Sequence, residues 1–160
     1  MKYPILLLII LIAFTAAGCQ RKSPPIYDTD IILSISTVCG WCTGGDSLVI
    51  DANTSVYRDS PSCDLAKATE TSNATDKAQW NELISLLDRE QFKKVNINLC
   101  NVCADGCDVR VTVKGKNYIH YISYGGSDNE AVASIRAFLK KLEAISAVYK
   151  KEYRNNKTRL

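Results

Sequence analysis

Seven cysteines in a chain of 160 residues are the groups best able to do chemistry. Cys19 stands apart. The other six fall into two groups of three: Cys39, Cys42 and Cys63, then Cys100, Cys103 and Cys107. Paired thiols can be oxidised to crosslinks, can cycle between thiol and disulfide, or can ligate a metal as thiolates. An even number of cysteines in an exported domain points first to structural disulfides. Each bridge would contribute about 2–4 kcal/mol by restricting the unfolded chain. Spacing alone does not choose the connectivity. The order of the early strands places Cys39, Cys42 and Cys63 at one end, so a bridge from Cys63 to Cys39 or Cys42 is the geometrically easy expectation.

Two other chemistries use the same residues. Cys39-Gly40-Trp41-Cys42 has the spacing of thioredoxin-like sites, in which Cys39 would be the nucleophile and Cys42 the resolving thiol. Such sites place a helix after the first thiol, whereas Thr43-Gly44-Gly45-Asp46 leads straight towards a strand. Cys39-x2-Cys42 with Cys100-x2-Cys103 also matches the paired knuckles of a four-cysteine zinc module. Zinc requires reduced thiolates, which an oxidising compartment opposes, and two cysteines would be left over. The sequence therefore implies no cofactor and no metal.

The remaining reactive side chains offer less. His120 is the only histidine, and between Ile119 and Tyr121 on a strand it reads as a half-buried, hydrogen-bonded residue rather than a base. Nucleophile-elbow, phosphate-loop and zinc-protease patterns are absent. Asp105-Gly106 is a tight turn between Cys103 and Cys107, since no calcium-ligand series continues from it. Tyr118, Tyr121 and Tyr124 could form an aromatic binding face, joined by Trp41 if the two loops meet.

The chain's address comes from its first residues. Lys2 precedes an unbroken apolar run, Ile5 to Phe14, followed by Thr15-Ala16-Ala17-Gly18-Cys19. A positive start, a short apolar core and small residues before a cut site describe a secretory signal. The run is too short to span a bilayer, which takes roughly 20 residues. Small residues directly before a cysteine resemble the lipobox of bacterial lipoprotein signals, although Ala16 stands where that pattern more often has leucine. The resemblance implies acylation of Cys19 and removal of residues 1–18. Gln20-Arg21-Lys22-Ser23-Pro24-Pro25 then reads as a tether within residues 19–28. Lipid on an N-terminal cysteine holds a protein stably at a bilayer. No acidic run follows Cys19, so the periplasmic side of the envelope is the expected location.

Behind that leader, the expected single domain covers residues 29–150, long enough to bury a core. A formal net charge of +3 gives no ground for nucleic acid as a partner. Five bases against one acid from Lys150 to Arg159 read as a solvated helix end, with residues 151–160 as a basic tail.

The elements that must position the cysteines follow from periodicity. Ile31 to Val38 reads as a strand. Ser47–Ile50 and Ser55–Arg58 flank Asp51-Ala52-Asn53-Thr54 as a hairpin. Residues 60–75, rich in Ser, Thr and Asn, read as a long surface loop. Asp76 and Gln79 start a helix, with Trp80, Leu83, Ile84 and Leu87 on one face. Val109, Val111 and Val113 alternate before a second hairpin. With Gly115-Lys116 as its turn, Val113 lies opposite Tyr118 and Val111 opposite His120. Ser127 and Glu130 cap a last helix striped by Val132, Ile135, Phe138, Leu139, Leu142 and Ile145. The expected fold is α+β in two layers: a mainly antiparallel sheet of about five strands packed against two helices.

A lipobox, an early strand and hairpin, a Trp-containing helix, the segment Cys100-Asn101-Val102-Cys103-Ala104-Asp105-Gly106-Cys107-Asp108, and then a hairpin and closing helix together resemble small uncharacterised lipoproteins of Bacteroidota-type bacteria. The resemblance implies an address and a fold and carries no catalytic residue. The expectation for function is a membrane-anchored, non-enzymatic binding or envelope-associated module. Its partners would be the bilayer, through Cys19, and an envelope protein or small ligand.

Overall fold

A computed structural model describes residues 30–41, 43–62 and 64–158. The leader, Cys19, the tether, Cys42 and Cys63 lie outside the described residues. Strand β1 (Ile32–Cys39) alternates as its sequence requires, with Leu33 and Ile35 buried and Ser34 and Ser36 on the opposite face. β2 (Gly45–Ile50) and β3 (Thr54–Ser60) form the expected hairpin. Its turn closes because the Asp51 carboxylate accepts from the Asn53 and Thr54 amides at 2.7 and 2.8 Å.

Residues 60–75 are not all loop. Thr69–Ala74 form a fourth strand, β4, antiparallel to β3. Its side chains are almost all exposed, so it carries none of the apolar alternation that marks a half-buried strand.

The Asp76 carboxylate caps helix α1 (Lys77–Ser85) by accepting from the Gln79 amide at 2.7 Å, and Trp80 and Leu83 are buried beneath it. An unexpected short helix, α2 (Arg89–Lys94), follows, capped in the same way by Asp88 and anchored by fully buried Phe92.

β5 (Cys107–Gly115) and β6 (Tyr118–Tyr124) pair with Val113 opposite His120, Val111 opposite Ile122 and Gly115 opposite Tyr118. The turn residues are therefore Lys116-Asn117, not Gly115-Lys116. Gly115 belongs to the strand, where the Tyr118 ring covers it; a Cβ there would lie 2.5 Å from Tyr118 Cε1. The correction shifts the pairing by two residues, so the side that each valine faces is unchanged.

The closing helix, α3 (Arg136–Lys157), is preceded by a 3₁₀ segment, Glu130–Ile135. Asn129, rather than Ser127, is the cap, its side chain accepting from the Ala131 amide at 2.9 Å. Glu130 pairs with Arg136 instead of reaching back to Ser127. The expected stripe holds: Val132, Ile135, Phe138, Leu139, Leu142 and Ile145 are all buried. Burial of each large side chain is worth about 1.5–3 kcal/mol. The helix continues through the expected basic tail, and Tyr153 packs on Tyr57 with centroids 5.5 Å apart.

The sheet is wholly antiparallel, in the order β4-β3-β2-β1-β5-β6. Among the described residues, the three α-helices all lie on the face that buries Leu33, Leu48, Val111 and Ile122, giving an α+β fold in two layers. The opposite face is open and carries Ser34, Val49, Thr112 and Tyr121 in one cross-strand row. Beyond β6, the backbone of Ile97–Leu99 bonds to Ser123 along the outer edge. No helix among the described residues is long and apolar enough to cross a membrane.

Candidate functional site

Cys39, Cys100, Cys103 and Cys107 gather at one end of the sheet because the central strand, β1, ends there and β5 begins beside it. Cys39 and Cys107 are register partners, 4.0 Å apart at Cα, and are joined by a disulfide. Cys39 is therefore not the partner of Cys63, which corrects that arm of the expected bridge and leaves Cys39 without a free thiol, while the Cys63–Cys42 arm lies outside the described residues. The expectation looked to the first three strands; the actual partner arrives from β5, a neighbour 68 residues on.

Past this bridge the two strands lead into two loops packed backbone to backbone. The Gly40 amide donates to the Gly106 carbonyl at 3.0 Å. A Cβ on Gly40 would sit 3.0 Å from the Val102 carbonyl oxygen and 3.1 Å from Asp105 Cα, so glycine allows the approach. The Thr43 amide and hydroxyl both donate to the Gly40 carbonyl, closing a turn. Trp41 rides on that turn in the left-handed region at φ 52°, with 79 % of its surface exposed.

The facing loop carries the second disulfide, Cys100–Cys103, across the 3₁₀ turn Asn101–Ala104. Several hydrogen bonds hold this turn independently of the sulfurs. The Cys103 amide donates to the Cys100 carbonyl at 3.1 Å, and the Gly106 amide donates to the Asn101 carbonyl at 2.8 Å. The Asp108 carboxylate accepts from the Asn101 amide at 2.8 Å and, more weakly, from the Val102 amide at 3.4 Å. Asp108 is fully buried, and a carboxylate is buried this way only when it is hydrogen-bonded. Asp105 adopts the left-handed conformation that lets the chain reverse into β5.

Beneath the same end, Asp46 is buried between Tyr57, whose hydroxyl donates to it at 3.0 Å, and Lys150 of α3. Burial, reinforced by the Asp46 charge, pushes the Tyr57 hydroxyl well above the usual tyrosine range. A shallow groove of about 290 Å³ opens here, lined by Thr37, Thr43, Asp46, Asp59, Lys150 and Arg154. Asp108 and the Asp46–Tyr57–Lys150 group both escaped sequence reasoning. Each is an acid whose neighbours are assembled by the fold, and the one visible signal was Asp108 lying directly after Cys107.

The tyrosines do not form one face. Tyr118, Tyr124 and His120 point into the helix-covered side, and Tyr121 points to the open side, 59 % exposed. Lys93 lies over the Tyr118 ring at 4.8 Å. Tyr124 is fully buried and donates to Glu143 at 3.0 Å; burial first, then that carboxylate, raises its pKa far above the ordinary value. Trp41 lies at the end opposite Tyr118, so the proposed four-residue aromatic face is not assembled. His120 bonds through Nε2 to the Val95 carbonyl at 2.9 Å and meets Phe92 edge-on, the structural role read from its sequence context.

For the zinc arrangement, Cys39, Cys100 and Cys103 are all held in disulfides. Among the described residues no group of three or more His, Cys, Asp or Glu is placed to hold a metal ion. No protein-family model matches this chain, and no curated protein matches it either.

Proposed function

We propose that this protein is a lipid-anchored lipoprotein of the bacterial cell envelope, facing the periplasm, and that its domain is a non-enzymatic binding module. The module presents the loops at the cysteine end to an envelope protein or small ligand. The leader pattern and Cys19 support the anchor. One observation supports the binding end: β1 starts at Ile32, on the side of the sequence that bears Cys19, and ends at Cys39. The tether leads into β1 at Ile32, and the strand carries the chain about 23 Å to Cys39. Trp41 stands just beyond, exposed on a turn whose backbone is bonded to the facing loop. A large aromatic side chain held out by a crosslinked backbone resembles the anchors that dominate recognition surfaces.

Two measurements test the reading in intact cells. Labelling with an alkyne fatty acid is expected to tag the protein, and Cys19→Ser is expected to abolish the tag and release the protein from the membrane fraction. A photoreactive amino acid at Thr43 is expected to give a discrete adduct that one at Ser34, on the open face, does not. Adducts from Ser34 alone would move the binding surface to the open sheet; an untagged protein would remove the anchor.

A further inference from the structure

We propose that Cys100–Cys103 is a chemically active disulfide that exchanges with paired cysteine thiols of an envelope protein docked beside Trp41. This goes beyond the binding role, which needs no chemistry at the sulfurs, and it concerns a different pair from Cys39 and Cys42.

Three observations carry it. First, Cys100 and Cys103 are both exposed, so an incoming thiolate can reach the bond. Second, the bond spans a sequence separation of only 3, against 68 for Cys39–Cys107, so it restricts the unfolded chain far less. Third, the turn it crosses keeps its shape through other bonds: Cys103 to Cys100, Gly106 to Asn101, and the Asn101 amide to buried Asp108. The two sulfurs would remain neighbours after reduction, ready to close again. A disulfide that is reachable, dispensable to the fold and held within a preorganised turn can cycle without unfolding the protein. Trp41 adds a docking surface, because its loop packs against the backbone of this turn through Gly40, Val102 and Asp105.

The exchange balances as follows. A partner thiolate attacks one sulfur of the pair, forming a mixed disulfide while the Cys100–Cys103 bond breaks. The electron pair leaves on the other sulfur, which takes up a proton. The partner's second thiol, deprotonated, then attacks the partner's own sulfur in the mixed disulfide. The partner leaves oxidised, with a disulfide, and Cys100 and Cys103 are both thiols, having gained two electrons and two protons. The reverse sequence reoxidises the pair against a partner disulfide.

The test is a redox titration of the full chain in mixtures of reduced and oxidised dithiothreitol, quenched in acid, alkylated and mapped by peptide mass. Cys100 and Cys103 are expected to be half labelled at a reduced-to-oxidised ratio at least tenfold lower than Cys39 and Cys107, with the far-UV circular dichroism unchanged. A synthetic peptide carrying two cysteines is expected to be oxidised at least tenfold faster than by the Cys100→Ser/Cys103→Ser variant. Circular dichroism of that variant confirms that it folds, and Cys103→Ser alone, mixed with the disulfide form of the peptide, is expected to hold it as a mixed disulfide on Cys100, the Cys100 thiolate attacking the peptide's disulfide and releasing its second sulfur as a thiol. Reduction of Cys39–Cys107 first, loss of structure together with Cys100–Cys103, or equal peptide oxidation by the double variant would each overturn the proposal.

Discussion

Two disulfides sit within a few residues of each other and do different work. Cys39–Cys107 joins the last residue of β1 to the first of β5, strands that are neighbours in space but 68 residues apart in sequence. It fastens the central strand to the second half of the sheet. Cys100–Cys103 closes a turn that backbone amides and Asp108 already hold. In the chain-entropy picture the long span is worth about 4 kcal/mol and the short one about 2 kcal/mol. Neighbouring bridges thus differ less in chemistry than in what the rest of the chain asks of them, and a crosslink the fold does not need is the one free to react.

The largest effect should come from the strand bridge. Cys39→Ala/Cys107→Ala is expected to lower stability in urea by about 4 kcal/mol. A loss of about 2 kcal/mol or less would leave the strand bridge worth no more than the short one and dissolve the contrast. Next comes the buried carboxylate: Asp108→Ala removes the charge-assisted acceptor for the Asn101 amide and is expected to cost about 2–3 kcal/mol. The same change should speed reduction of Cys100–Cys103, since the turn would then rest on the sulfurs. Unaltered reduction kinetics would show that Asp108 does not hold the turn. Cys100→Ala/Cys103→Ala is expected to cost about 2 kcal/mol or less and to leave the fold intact.

Much of this architecture was legible in the sequence, and the misses share one physical origin. The stripe from Val132 to Ile145, the Asp76 cap and the Asp51 turn are local patterns, and each formed as read. β4 escaped because Thr69–Ala74 is a strand through its pairing with β3, not through burial. The second hairpin slipped by two residues because Gly115 signals a turn locally, while the Tyr118 ring above it claims it for the strand. The Cys39–Cys107 bond needed the adjacency of β1 and β5, which no spacing encodes. Trp41 was identified from its cysteine context, yet its separation from Tyr118 depends on which end of the sheet each occupies.

Smaller effects probe the floor beneath both bridges. Tyr57 and Tyr124 have pKa values raised in the fold, so the native state holds their protons more tightly than the unfolded chain does. Their contribution is complete below the ordinary tyrosine pKa, about 10, and is lost as pH rises beyond it. Stability should fall above that pH, and Tyr124→Phe should flatten the decline; a slope unchanged in the variant would exclude Tyr124 as its source. Smallest of all, Trp41→Ala should shift stability by less than about 0.5 kcal/mol, because the side chain is 79 % exposed. A larger loss would mean that the indole supports the loops rather than standing ready for a partner.

The short stretch Ile97–Leu99, bonded along Ser123, has a consequence for how these molecules can share a crowded surface. An open sheet has two rims, and an uncovered pair of rims allows copies to add end over end into a fibre. Here the chain itself bonds to the β6 rim at one residue, Ser123, while Ile119 and Tyr121 farther along the strand stay exposed. The β4 rim presents Thr, Glu, Ser and Asn, a hydrophilic border that can accept at most a guest strand from one direction. A copy adding a strand along β6 therefore meets a rim interrupted at Ser123, which shortens the stretch open to such pairing.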